Sequence, residues 1–394
     1  MIYADNAATT KLSPHALEVM VETAQNTWGN PSSLYELGQR AQEALSDARN
    51  RMAALLGAEA KEIYFTSGGS EGDNQAIRSC ARLGAAKGKK HIISTAFEHH
   101  AVLHTLKRLE KEGFEVTYLP VHENGIVTAE EVKAAIRPDT CLVTIMFANN
   151  EIGTIQPVKE IGAVCRASKV PFHTDAVQAA GHLHIDVKEM NIDLLSLSAH
   201  KFHGPRGVGA LYCRTGLPLY PLIEGGAQER NRRAGTENVM GIRAMVTALE
   251  DMVKDMDKNA AYVSALRDKL IDGLTKIPHS ALNGDRTNRL PGNANFCFEG
   301  IEGESLLLLL DQAGICASSG SACTSGSLDP SHVLLAIGRP HEVAHGSLRL
   351  TLCEENTEQE VDEILKAVPE IVSYLRGFSP IWQDLESGRR AHML

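Results

Sequence analysis

Ser198-Ala199-His200-Lys201-Phe202-His203-Gly204-Pro205-Arg206-Gly207-Val208-Gly209 is the stretch on which the reading of this chain turns. A single lysine follows the apolar run that ends at Leu197 and precedes glycines that open a second apolar run, Ala210-Leu211-Tyr212-Cys213. That pattern predicts a turn between two buried strands. A lysine there, poorly hydrated and flanked by Arg206 and by His200 or His203, is expected to have a lowered amine pKa, the condition for Schiff-base chemistry with a carbonyl cofactor. The turn by itself equally allows a solvated lysine with no such role.

Outward from this turn the pattern is regular. Short β-type runs occur at Ile63 to Phe65, His91 to Ser94, Val116 to Leu119, Cys141 to Phe147, Pro171 to His173 and Leu194 to Ser198, with helix-length segments between most of them. Such alternation predicts a mostly parallel sheet covered by helices on both faces. Before it, the first dozen residues read as an extended arm, followed by a helix near Pro14, the turn-rich loop Trp28 to Ser33 and a helix rich in Ala, Arg and Glu up to Leu56-Gly57. After it, Asp251 to Leu270 reads as one long charged helix that crosses between domains. Asn293 to Phe298, Ile315 to Ala317 and Ser347 to Leu352 read as strands of a smaller sheet. A last helix sets Val361, Ile364, Leu365, Val368, Ile371, Val372 and Leu375 on one apolar face. The fold expected is α/β: a large domain over 13-257, and a small domain made of 1-12 and 258-394.

With 394 residues the chain is long enough for two domains, and its net charge of -10 argues against a nucleic-acid surface. No apolar run approaches membrane-spanning length, and the start lacks the charged and apolar regions of a signal peptide, so a cytoplasmic location is expected. The eight cysteines include no C-x-x-C pair, which points to neither a disulfide framework nor a zinc site. Cys141, Cys213, Cys297 and Cys353 lie in strand-like runs, as small core residues do. Cys323 differs, because Ser318-Ser319-Gly320-Ser321-Ala322-Cys323-Thr324-Ser325-Gly326-Ser327 is all small residues, and an exposed thiol is expected there.

Several short segments could carry chemistry. Thr66-Ser67-Gly68-Gly69-Ser70-Glu71 follows a strand and opens a helix, so it reads either as a cup for one small phosphate or as a glycine turn with Ser70 as helix cap. It is neither a P-loop nor a dinucleotide fingerprint. His99, in Glu98-His99-His100, sits where strand ends meet ligands and could stack on a flat ring or simply be solvated. Asp175 ends another strand and could partner a protonated pyridine nitrogen or cap a helix. Asn150 ends the strand from Cys141. Arg349 could fork onto a substrate carboxylate or face water from a strand edge. Together with Lys201 they match what pyridoxal phosphate chemistry on an amino acid needs.

Asp5-Asn6-Ala7-Ala8-Thr9-Thr10, Gly29-Asn30-Pro31-Ser32-Ser33, Thr66-Ser67-Gly68, Glu98-His99-His100, Asn149-Asn150-Glu151-Ile152-Gly153-Thr154, His173-Thr174-Asp175-Ala176-Val177-Gln178, Ser198-Ala199-His200-Lys201 and the Cys323 segment carry a resemblance across nearly the whole chain. The chain resembles the cysteine desulfurases of the NifS/IscS group, in the class-V aminotransferase family. The resemblance implies the fold-type-I architecture of pyridoxal-phosphate transferases, with a seven-stranded type of sheet. It implies Lys201 as the pyridoxal phosphate lysine and Cys323 as the sulfur-accepting nucleophile. Gly69 and Ser70 match the phosphate cup, with Ser198 and His200 beside it, although many members carry Ala-Thr where this chain has Gly69-Ser70. His99 matches the ring-stacking residue and a proton-transfer partner, Asp175 the partner of the pyridine nitrogen, and Gln178 the contact to the phenolic oxygen. Asn30, Asn150 and Arg349 match substrate-side residues. Thr236, in Arg232-Arg233-Ala234-Gly235-Thr236-Glu237-Asn238, matches a residue that reaches the phosphate of a neighbouring subunit, which implies a homodimer.

The reaction implied converts L-cysteine to L-alanine and leaves the sulfur as a persulfide on Cys323. An iron-sulfur scaffold protein is the implied acceptor, with Cys323 a transient metal ligand shared with it. No nucleic acid or membrane partner is expected. Two rivals share parts of this pattern: another fold-type-I enzyme, an aminotransferase or selenocysteine lyase, needs the lysine and the cup but not Cys323, and a catalytically silent pyridoxal-phosphate protein needs neither turnover nor thiol. The tail Gly377 to Gly388 sets Trp382 and Leu385 at helical spacing after a Ser-Pro start. It reads either as a docking edge for the scaffold or as a segment folded back on its own domain.

Overall fold

Runs of Val, Ile and Leu with few polar interruptions make strands that must be covered on both sides, and helices supply the cover. The computed structural model, which describes residues 1-320 and 330-394, has twelve strands. They are β1 (Ile2–Tyr3), β2 (Ile63–Thr66), β3 (His91–Thr95), β4 (Glu115–Leu119), β5 (Thr140–Thr144), β6 (Phe172–Asp175), β7 (Leu194–Ser198), β8 (Gly209–Cys213), β9 (Ser280–Leu282), β10 (Asn293–Phe298), β11 (Ile315–Cys316) and β12 (Ser347–Thr351). Seven form one sheet in the order β2-β8-β7-β6-β5-β3-β4. From β7 to β4 the pairings are parallel, and β8 alone runs antiparallel to both its neighbours. Every residue of β3, β5, β7 and β8 is buried, which accounts for their largely apolar reading. The register Leu197↔Ala210 and Ser198↔Gly209 closes the Lys201 turn as the sequence predicts.

Helix signals act where they are read. Ser13 accepts a hydrogen bond from the Ala16 amide and Pro14 opens the helix Pro14–Asn26. Thr357 and Glu360 form a capping box at the start of the helix Glu358–Phe378. That helix buries Val361, Ile364, Val368 and Val372 against a separate apolar cluster that includes Phe296, Phe298, Leu348 and Leu350 from the sheet β12-β10-β9. Ile2 and Ala4 of the N-terminal arm belong to the same cluster.

Three expectations are corrected. Asp251 to Leu270 is two helices, Val239–Lys254 and Met256–Leu274, because Asp255 leaves the helical region and terminates one while starting the other. Ile315 and Cys316 join β1 in a two-stranded sheet rather than the small sheet, which takes its third strand from β9, a polar-flanked segment without a strong apolar signal. The strand from Cys141 stops at Thr144, since the next residues turn toward the Asn149 loop. In the segment before Thr236, Arg230 lies over the Tyr64 ring, and Arg233 pairs with Glu71. Glu229, buried just before them in sequence, accepts a bidentate fork from Arg49 at 2.7 and 2.6 Å.

The tail forms the helix Pro380–Glu386 and turns back. Trp382 stacks on the Arg376 guanidinium at 3.9 Å and meets the His279 and His392 rings at their edges. A Cβ on Gly300 would come within 2.7 Å of the Trp382 ring, so the contact depends on that glycine. Truncation from Ile381 onward is therefore expected to lower the unfolding midpoint, by roughly 5 °C, because it strips the covering from Arg376 and Gly300. Calorimetry checks it, and an unchanged midpoint would show that the contacts contribute nothing.

Candidate active site

The parallel arrangement brings the carboxyl ends of β3, β5, β6 and β7 to one edge, and β2, parallel to β7 through β8, delivers the loop Ser67-Gly68-Gly69 to the same edge. Lys201 ends a single tight turn, Ala199–Lys201, directly after β7. Its Nζ donates to the carbonyls of Ala7 at 2.6 Å and Ala8 at 2.8 Å. The N-terminal arm is fastened there by reciprocal bonds: Thr10 N and Oγ1 donate to the His200 carbonyl, and His203 N donates to Thr10 Oγ1 at 2.7 Å. His200 Nδ1 meets Thr9 Oγ1 at 3.1 Å, and Gln178 Nε2 donates to the Ala7 carbonyl at 3.0 Å. The sequence reading saw only an extended arm; in the fold it forms one wall of the site.

Asp175, at the end of β6, is buried and accepts the Val177 amide at 2.9 Å. Burial pushes its carboxyl up to about 6, opposed by that amide and by the Lys201 charge. His99 caps the helix His100–Lys111, its Nδ1 accepting the Ala101 amide at 3.1 Å, so Nδ1 bears no proton. Burial, aided by the charges of Lys201, His332 and His104, lowers its pKa to about 4 and keeps the ring neutral. Polar atoms of Asp73, His99 and Asp175 lie within 4.8 Å of one another.

Asp73 is a site residue that the sequence reading missed. It is buried, its Oδ1 has no hydrogen-bond partner, and burial followed by the nearby Asp175 holds it well above the carboxylate range. The signal was present: Asp73 shares a helix stripe with Ala76, Ile77 and Cys80, all fully or almost fully buried. Glu98 reads in the sequence only as a flank of His99. It is buried, accepts from Thr95 Oγ1 at 2.6 Å and the Met146 amide at 3.0 Å, and is pushed up to about 8 chiefly by burial.

The cup is a backbone feature. Gly68 has φ of 153°, and a Cβ on Gly69 would come within 2.4 Å of Val177 Cγ2, so an alanine there would require Val177 to move. Ser198 is buried beneath Gly68, Ser70 is exposed at the start of the helix Gly69–Ala85, and the Ser67 amide donates to Glu71, the partner of Arg233. The loop around Thr236 is thereby joined to the cup, while Thr236 itself is exposed.

Arg349 does not face water. It is 2 % exposed, with Nη2 donating to Asp5 Oδ1 at 2.7 Å and Nη1 to the Asn150 carbonyl at 3.1 Å, while its Nε lacks a partner. Asn30 is exposed and uses its side-chain oxygen on the Ser32 amide at 2.9 Å. Cys323 lies outside the described residues. Its flanks are held at the site: Ser318 exchanges backbone hydrogen bonds with Arg349, and Ser331 Oγ donates to Glu151 Oε2 at 2.5 Å.

These residues fit pyridoxal phosphate. A helix N-terminus made approachable by Gly68 and Gly69 suits one phosphate, a neutral His99 ring suits a flat face, and the buried Asp175 carboxylate suits a pyridinium.

Neutral His99 also has a consequence for folding. In the unfolded chain histidine protonates near 6.5, whereas native His99 resists until about pH 4, so stability falls as pH drops through 6.5 toward 4. Glu98, which keeps its proton to about 8, acts in the opposite sense, so the His99 contribution needs a difference measurement. The stability cost of His99→Gln is expected to shrink by about 1 to 2 kcal/mol between pH 7 and pH 5, measured by urea unfolding. A cost independent of pH would show that His99 titrates normally.

The model of the aminotransferase class-V family matches residues 2–364. The chain is 56% identical over 380 residues to "Cysteine desulfurase IscS" of Methanosarcina thermophila, an alignment covering 96% of this chain and 94% of that one. Among solved structures, a "NIFS-LIKE PROTEIN" superposes with a TM-score of 0.89 at 39% identity, covering 95% of this chain and all of its own. A structure described as "SspA in complex with cysteine" superposes with a TM-score of 0.80 at 37% identity over 91% of this chain and all of its own.

Proposed function

Since the chain belongs to the class-V aminotransferase family and is a cysteine desulfurase by its near full-length likeness to that group, we propose that it takes sulfur from L-cysteine onto Cys323, releases L-alanine and hands the persulfide sulfur to an iron-sulfur scaffold. The single observation that carries the residue assignment is the convergence at one sheet edge of Lys201, Asp175, His99 and the Gly68-Gly69 cup. The family uses pyridoxal phosphate. When bound, that cofactor supplies a carbonyl for the amino acid's amine and a ring that withdraws electrons from its α-carbon.

The residues divide the remaining work. Lys201 Nζ anchors the cofactor and, once released by substrate, removes the α-proton. Its hold on the Ala7 and Ala8 carbonyls gives the amine a defined resting place. Asp175 keeps a proton on the pyridine nitrogen, and a cation there offsets the cost of burying its carboxylate. Ser70, with the amides of Gly69 and its neighbours, and with Ser198 and His200, holds the phosphate, completed by Thr236 of a second copy. His99 covers the ring face and, through Nε2, serves proton transfer. Gln178 contacts the phenolic oxygen. Asn30 and Asn150 orient substrate, and Arg349 exchanges its Asp5 partner for the substrate carboxylate. Cys323 thiolate attacks the substrate sulfur: the S–S bond forms as the carbon–sulfur bond breaks, and the carbon left behind is protonated to alanine.

The arm bears on the division of the chain. Ile2 and Ala4 pack with Leu266, Leu270 and Val361, which supports residues 1-12 and 258-394 as one small domain and 13-257 as the large one. No helix among the described residues is long and apolar enough to cross a membrane.

The deciding experiment is a short L-cysteine pulse without reductant, followed by alkylation and peptide mass spectrometry. Cys323 is expected to carry the extra sulfur, and Cys323→Ala to lose sulfur transfer while keeping the cofactor's colour. Six of the seven described cysteines are buried, and Cys316 is partly so, which disfavours them as carriers. Persulfide on any of these, or normal turnover without Cys323, defeats the assignment.

A further inference from the structure

Past Lys201 the turn continues to His203, where the loop after β7 meets the end of β12 from the smaller sheet. His203 is 4 % exposed. Its Nδ1 lies 2.9 Å from the Lys11 carbonyl, which can only accept, so Nδ1 carries a proton. Nε2 lies 3.2 Å from Glu354 Oε1, an ion-pair distance without a hydrogen bond of acceptable direction, and is fully enclosed; burial lowers the ring's pKa, but Cys353 and Glu354 raise it to about 10. Cys353 Sγ completes the group: the ligand atoms of all three residues lie within 4.8 Å of one another. We propose that His203, Cys353 and Glu354 form a binding site for a divalent cation of the zinc class, distinct from the cofactor site, with water as fourth ligand.

The geometry and the charge both suit such an ion. Tetrahedral zinc binds its ligands at about 2.0 to 2.3 Å, which sets the donor atoms roughly 3.3 to 3.8 Å apart. The separation of Nε2 and Oε1 is near that spacing, and an ion lying between the three groups, rather than on the N–H axis toward Glu354, accounts for the unmet direction of Nε2. A neutral imidazole, a thiolate and a carboxylate sum to two negative charges, which one divalent ion neutralises, displacing the thiol proton and any proton on Nε2. Thiolate with imidazole selects zinc over magnesium or calcium. The outer contacts are those of a metal ligand set. The Lys11 carbonyl fixes the His203 tautomer, and Asn356 accepts the Cys353 amide at 2.9 Å while its own Nδ2 donates to the Tyr3 carbonyl at 3.1 Å.

Two other clusters of this kind occur among the described residues, and neither has this character. Asp73, His99 and Asp175 belong to the site already described. His279, Glu299 and His392 lie against the Arg376 guanidinium, which donates to the Glu299 carbonyl at 3.0 Å and opposes a second cation. At His203 an ion would rivet three segments that also build the active site: the arm through Lys11, the Lys201 turn, and β12, which carries Arg349.

The test uses the holoenzyme with Cys323→Ser, so that the other candidate thiolate cannot bind metal. After chelator dialysis the protein is equilibrated with Zn2+, passed through gel filtration, and its metal content and zinc X-ray absorption are measured. One zinc per chain is expected, with a single sulfur among its scatterers. Cys353→Ser and His203→Gln should each weaken binding at least ~10-fold. Glu354→Gln, which keeps a polar neighbour for the imidazole, serves if His203→Gln does not fold. Retention of no zinc, retention undiminished by Cys353→Ser, or a shell without sulfur overturns the proposal.

Discussion

Lys201→Ala is expected to lower alanine formation from L-cysteine by roughly 10^4-fold, the upper range for loss of a positioned acid-base group, and to abolish the pyridoxyl adduct that borohydride leaves on the native protein. The expectation rests on placement. Lys201 stands at the carboxyl end of β7, held by the Ala7 and Ala8 carbonyls, and its charge is felt by both Asp175 and His99. Peptide mapping after reduction decides the site independently of turnover. An adduct on a different lysine, or an alanine variant that still forms one, removes Lys201 from the mechanism.

Asp175→Asn should cost about 10^2 to 10^3 in the same reaction, the range for removing one preorganised charge from a reacting centre. It should also affect stability. The Asp175 carboxyl is raised to about 6 by burial, so in the cofactor-free protein its ionisation destabilises the fold as pH rises from about 4 through 6. Asparagine keeps the shape without the charge. The cofactor-free variant is therefore expected to gain stability relative to the parent above pH 6, while the loaded variant loses the benefit of the charge pair. Equal activity in the variant would show that Asp175 does not meet a cation, and a pH-independent stability difference in the cofactor-free protein would show that burial does not raise its carboxyl.

Residues whose role depends on a local pattern were legible early. The Lys201 turn follows from two apolar runs and three glycines, and the Gly68-Gly69 cup from its place between strand and helix. Arg349 was harder, because an arginine in a five-residue strand has the same local signature whether it faces water or a carboxylate. Its partner, Asp5, sits at the other end of the chain. Asp73 lies on a helix and not at a strand end, and its sequence signal is a carboxylate on the apolar stripe Ala76-Ile77-Cys80.

The sequence by itself determined the α/β alternation, the places of most main strands along the chain and the Lys201 turn, because these depend on neighbours within a few residues: apolar period, glycine placement and helix caps. Only the tertiary structure decided that the N-terminal arm walls the site, that Asp73 joins Asp175 and His99, that Arg349 is buried on Asp5, and that Cys353, read as a core cysteine, meets His203 and Glu354. Each of these is a pairing of buried polar groups from distant segments. Burial makes such groups seek partners, but local sequence does not say which segment the fold will bring alongside.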